Sequence, residues 1–176
     1  MFRLPHSSFR LFMPLALLGL LVACSGGSAP DATPRPASEH VNLDDLRQLG
    51  CSVAATPKRD LRSIPLMGQI DGYGFTSTTP CATQLVSLLQ SAEYEDAAWE
   101  GARTAARSFA KQHGFEQDSG EGRIGEYSEI ALFSRNGTPV GFEYSVQAKG
   151  RLHSVILLSD SIAPDAAFEA VLTKKL

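Results

Sequence analysis

The sequence runs to 176 residues, in which 16 Lys and Arg stand against 19 Asp and Glu for a net charge of −3. A mildly acidic chain gives no electrostatic footprint for neutralising phosphates, which disfavours nucleic acid as a partner. The length suits one domain with a real core and is short for two.

At the N-terminus, Arg3 and Arg10 precede an uncharged segment from Leu11 to Ala23, which ends on Cys24 and passes at once into Ser and Gly. Charge, apolar stretch and small residues in that order make a signal peptide. A helix of about 13 residues at 1.5 Å each spans roughly 20 Å, short of the ~30 Å hydrocarbon core, so it is too short for a permanent span. Leu21, Val22, Ala23 and Cys24 resemble the lipobox of bacterial lipoprotein precursors. The resemblance implies removal of residues 1–23, a diacylglyceryl group on the sulfur of Cys24 and acylation of the new amine. At about 0.8 kcal/mol per buried methylene, two or three acyl chains anchor a protein stably to a lipid bilayer, where one binds marginally. The competing expectation is ordinary secretion with Cys24 incidental. Ser25, by resemblance to lipoproteins of Gram-negative cells, implies the outer membrane, on its periplasmic face.

Processing would leave 14 basic against 19 acidic residues. With Cys24 given to lipid, Cys51 and Cys81 remain in an oxidising compartment and are expected to form a disulfide, the alternative being two separate buried thiols. A loop of about 30 residues implies roughly 3 to 4 kcal/mol in the chain-entropy account. Neither cysteine has metal-ligand spacing around it, so no metal or other cofactor is expected. Residues 24–40 are rich in Gly, Ser, Ala and Pro without apolar periodicity and read as a flexible tether, with residues 41–176 as a single domain.

Within that domain Asn42 can cap a short helix carrying Leu43, Leu46 and Leu49. Asp71-Gly72, between Ile70 and Tyr73, is a hairpin-turn signal that would place Gly68 across from Phe75. Thr79 and Pro80 suit the start of a helix whose apolar face is Leu85, Val86, Leu88 and Leu89. A second helix is expected from about Glu93 to His113, stopped by Gly114, with an alanine face and Trp99 as its bulky anchor. Tyr127–Phe133, Val140–Ala148 and Leu152–Leu158, separated by Asn136-Gly137 and Lys149-Gly150, read as an antiparallel meander. In its middle strand Gly141, Glu143, Ser145 and Gln147 form the wet face. A last helix opens at Asp160 or Ser161 before Pro164 and carries Phe168, Val171 and Leu172. The fold class expected is therefore α+β: a three-stranded antiparallel meander packed against helices, with a possible extra hairpin.

Chemistry is sparse. His40 falls in the tether, His113 closes a helix, and His153 lies in a strand near Asp160 and several serines without any G-x-S-x-G elbow. Glu93, Glu95, Asp96 and Glu100 cluster near a helix start, where acids answer the helix dipole more readily than they form a glycan-cleaving pair. No catalytic residue is assigned. Two surfaces could meet a partner: the basic stripe Arg103, Arg107 and Lys111, and the turn Asp71 to Phe75, where Tyr73 and Phe75 are either exposed anchors or folded inward. The function expected is a non-enzymatic protein-binding module of the cell envelope, engaged in complex assembly or in immunity-type inhibition of a toxin. The alternatives are a periplasmic hydrolase acting on cell wall or lipid, and a small-ligand or lipid carrier.

Overall fold

The computed structural model describes residues 34–64, 68–91 and 95–176, so the signal segment, Cys24, Ser25 and Glu93 lie outside the described residues. Ten regular elements follow a 3-10 turn at Ala37–Glu39. They are α1 (Leu43–Gln48), β1 (Lys58–Ile64), β2 (Gly68–Thr76), β3 (Gln84–Ser91), α2 (Glu95–His113), β4 (Glu116–Glu121), β5 (Tyr127–Arg135), β6 (Thr138–Ala148), β7 (Arg151–Leu158) and α3 (Ala166–Thr173). All seven strands join one sheet in the order β1-β2-β3-β7-β6-β5-β4, and every neighbouring pair is antiparallel.

This corrects the expected fold class. The three-stranded meander is present as β5-β6-β7, but it is part of a seven-stranded antiparallel sheet that takes up most of the regular structure. Asn136 and Gly137 have φ of 52° and 74°, and Lys149 and Gly150 φ of 52° and 70°. Paired positive φ values are the backbone of a type I′ turn, which matches the right-handed twist of the strands it joins. Asn42 caps α1 in a capping box, accepting from the backbone N–H groups of Asp44 and Asp45 while the Asp45 carboxylate accepts from the backbone N–H of Asn42.

Three segments depart from expectation for identifiable reasons. The segment read as a helix after Thr79 is the central strand β3. It lies between β2 and β7: Leu85 and Leu89 enter the core on one face, while Val86 and Leu88 on the other are apolar but only half-buried. Apolar residues on both faces produce a nearly continuous apolar run whose spacing also fits a helix. Asp71-Gly72 is not a turn but the middle of β2, where Asp71 faces Leu61 and Leu89, and Gly72 faces Asp60 and Leu88. Gly68 accordingly faces Ile64, and Phe75 faces Leu85. A β-carbon on Gly72 would stand 3.1 Å from the carbonyl oxygen of Asp60, so close strand approach, not turning, explains that glycine. The last helix opens later than expected, at Asp165, whose carboxylate accepts from the N–H groups of Ala167 and Phe168.

The sheet separates two cores. On its front face α1 and α3 bury Leu46, Phe168 and Leu172 against Phe75, Leu85, Phe142, Tyr144, Val155 and Leu157. Phe168 meets Phe142 edge-on at 4.8 Å, a geometry worth about 0.5–1.5 kcal/mol beyond area burial. On the back face α2 lays Ala106, Ala110 and Phe109 against Ala131, Phe133 and Ile156, and Ala98 and Trp99 against Leu152. The face of β6 expected to be wet therefore lies inside the protein, with Glu143, Ser145 and Gln147 all buried. Cys51 and Cys81 form a disulfide with Cα atoms 5.7 Å apart, which ties the loop after α1 to the loop before β3. Among the described residues no helix is long and apolar enough to cross a membrane.

Candidate functional site

Strand alternation and register decide which side chains share the back face. Lys58, Asp60 and Arg62 of β1, Ile70, Gly72 and Gly74 of β2, and Val86 and Leu88 of β3 all point there. Helix α2 packs beyond them, over β7, β6 and β5, so the β1–β3 half of this face is bare among the described residues. The bare half forms an open groove of about 500 Å³. Its floor is apolar and flattened by the two glycines. Half-buried Ile70, Val86 and Leu88 supply the apolar surface, and exposed Lys58, Asp60 and Arg62 form the rim on the β1 side. Arg62 and Asp60 pair along that rim.

Beneath α2 lies a polar interior. Trp99 Nε1 donates to Gln147 Oε1 at 2.7 Å. Ser145 donates to Glu143 Oε1 at 3.0 Å and stands 2.7 Å from the hydroxyl of Ser154. The other oxygen of Glu143 has no hydrogen-bond partner among the described residues. Burial pushes the Glu143 carboxyl up to about 7. Next to it, Arg103 from α2 grips Glu129 from β5 with two nitrogens, and that guanidinium holds the Glu129 carboxyl below its usual range. One raised and one lowered carboxyl suggest an acid–base pair. Size argues against it, because the cavity they line is about 30 Å³, room for one or two waters and not for a sugar ring.

The front face holds a second polar cluster where the chain enters the domain. Asp71 Oδ2 accepts from the backbone N–H of Arg35, and Arg59 Nη2 binds both oxygens of Asp71 at 2.9 and 3.0 Å as well as the carbonyl of Arg35. His40 is fully buried, with Nε2 3.6 Å from Asp71 Oδ1, and its ring stacks on Tyr73 at 5.8 Å. Burial lowers its pKa against the pull of Asp71, and burial lowers that of His153 to about 4, helped by Arg151 and by His40 itself. Both imidazoles are closed to solvent, and burial pushes each towards its neutral form.

The sequence-predicted residues thus divide. Asp71, Tyr73 and Phe75 are at most 7% exposed and belong to β2, so they are not a protruding aromatic tip. Arg103, Arg107 and Lys111 do lie on α2, but Arg103 is committed to Glu129 and Arg107 to Glu100, while Lys111 is exposed. His40, placed by the sequence in the tether, belongs to the folded interior. His113 packs between Phe109 and Phe115, with ring centroids at 4.4 and 5.4 Å. Sequence reasoning missed the groove, because it is made of one strand edge and two central strands that no periodic signal brings together. It also missed Glu143, whose place in an alternating strand reads as solvent-facing until α2 covers it. No family model matches the chain, and neither a curated protein nor a solved structure matches it.

Proposed function

We propose that this chain is an envelope lipoprotein, anchored through acylated Cys24, whose folded domain binds a partner protein without catalysis. The bare half of the back face carries the reading. An open groove with an apolar floor and a charged rim fits an extended segment of another protein, which would bury Ile70, Val86 and Leu88 and set polar groups against Lys58 and Asp60. His153 and Glu143 are each 3% exposed and neither opens onto the groove, which supports binding over catalysis there; Tyr73, which does line it, has its pKa raised by burial. A groove of this volume is also within the range of small-molecule sites, so carriage of an amphiphile is the second reading.

A photoreactive residue at Leu88 in the full chain, illuminated in cells, separates the two. Protein adducts mapping to one partner segment are the expected result, lost when Ile70→Glu charges the floor. Adducts to lipid alone would transfer the groove to the carrier reading, and none at all would remove it as a binding site. Metabolic labelling with a tagged fatty acid tests the anchor: label should appear on the chain and vanish in Cys24→Ala. An unmodified thiol on Cys24 would overturn the anchor.

A further inference from the structure

Among the described residues the sheet has two unpaired edges of opposite charge. β1, at one edge, reads KRDLRSI and carries Lys58, Arg59 and Arg62 against Asp60; β4, at the other, reads EQDSGE and carries Glu116, Asp118 and Glu121 with no cation. Every β4 residue is exposed, and so are Lys58 through Asp60 and Arg62. Arg123 and Arg135 belong to positions beyond its ends, and Arg103 of α2, which lines the small cavity with Gln117 and Ser119, is held by Glu129. Charged edges ordinarily deter pairing between copies. Here like charges deter β1 from meeting β1, and β4 from meeting β4, while leaving β1 with β4 attractive.

We propose that β1 of one copy pairs with β4 of a second copy, antiparallel, continuing the sheet from molecule to molecule. Antiparallel pairing is the pattern throughout this sheet and the more stable per residue. One register satisfies the charges: Arg62 opposite Asp118 and Asp60 opposite Gly120, with Arg59, whose Nη2 is held by Asp71, opposite Glu121 and no like pair. Because β1 and β4 run in the same direction in a seven-stranded antiparallel sheet, this pairing requires the second copy to turn its front face to the first copy's back face. The bare back-face groove beside β1 then becomes continuous with a second apolar hollow of about 410 Å³, which lies at the other end of the sheet and includes Leu132, Pro139 and Ile162. Leu132, 45% exposed, is one of two large apolar side chains left open to solvent among the described residues, and the junction offers it a neighbour. The contact is heterologous, so it builds open chains of copies rather than closed pairs. A six-residue strand contact is small, and confinement to a lipid surface raises the effective concentration that sustains it. The proposal holds whatever fills the groove.

Two differently tagged full-length copies are co-expressed, one with a photoreactive residue replacing Gln117. The expected adduct joins the tags and maps to Ser63 on the other copy. Charge reversal by Arg62→Glu on the receiving copy should cut the adduct at least tenfold, and Asp118→Arg on the probing copy should restore it. Both positions are on exposed edges, and restoration itself shows that the variants fold. Absence of tag-joining adducts, adducts to β4 of the other copy, or adducts centred on Lys58, as parallel pairing would give, each overturn the proposal. Loss without restoration overturns it as well.

Discussion

Replacing Glu143 by Gln should stabilise this protein at neutral and alkaline pH and leave it nearly unchanged in acid. The carboxyl is 3% exposed, accepts one hydrogen bond from Ser145 and has its second oxygen unpartnered. Its pKa rises from an ordinary 4.5 to about 7, mainly through burial. A raised carboxyl pKa means that the folded state prefers the protonated form. Its favourable contribution is therefore complete below 4.5 and lost as pH rises through 7. Each factor of ten in that proton equilibrium is worth about 1.4 kcal/mol, so keeping the ionised form buried costs about 3 kcal/mol above pH 8. Glutamine keeps the acceptor facing Ser145 and cannot ionise. Urea unfolding of parent and Glu143→Gln at pH 4, 6 and 8 should give a difference near zero at pH 4 that grows to about 3 kcal/mol at pH 8, or roughly 10 °C in Tm. The buried histidines are common to both proteins and cancel. A difference that is constant across pH, or a variant less stable at pH 8, would refute the argument that Glu143 is buried without compensation.

The histidines act in the opposite direction. With the His153 pKa lowered to about 4, the unfolded chain binds the extra proton between 6.5 and 4, so stability falls as pH drops through that window. His153→Asn should remove about 3 kcal/mol of that acid loss, read as a flatter profile of unfolding free energy from pH 7 to 4. Reducing the Cys51–Cys81 bridge, whose partners are 30 residues apart, should cost about 3 to 4 kcal/mol in urea unfolding with and without reductant; an unchanged midpoint would show the bridge idle. Arg59→Ala strips Asp71 of its cation while leaving the carboxylate 3% exposed, and should cost about 3 kcal/mol, more than Arg62→Ala on the exposed rim, which should cost under 1. Equal losses for the two arginines would count against a special role for Asp71.

What the sequence made legible follows the physics of each segment. The meander could be read because β6 alternates and its turns contain residues suited to positive φ, both local signals. The capped start of α1 is equally local. β3 was opaque because its half-buried face carries Val86 and Leu88, so its sequence loses the period of two that its burial keeps, and β4 because EQDSGE has no apolar residue to mark it. Asp71 misled for another reason: an acid next to a glycine signals a turn, and only Arg59, 12 residues away, and Arg35, 36 residues away, make it tolerable within a strand. Of the candidate site, the basic stripe of α2 was placed correctly on its helix, yet two of its three charges are spent within the protein. The groove had no linear signature at all, since it exists only through the strand order and the reach of α2.

The fastening of Arg35 to Asp71 and Arg59 decides where the folded domain takes a load. Asp71 Oδ2 accepts from the Arg35 N–H and Arg59 holds both that carboxylate and the Arg35 carbonyl. A pull applied to the chain ahead of Arg35 would therefore be resisted by the middle of β2 and its neighbouring strands, and α1, which follows in the chain, would be spared it.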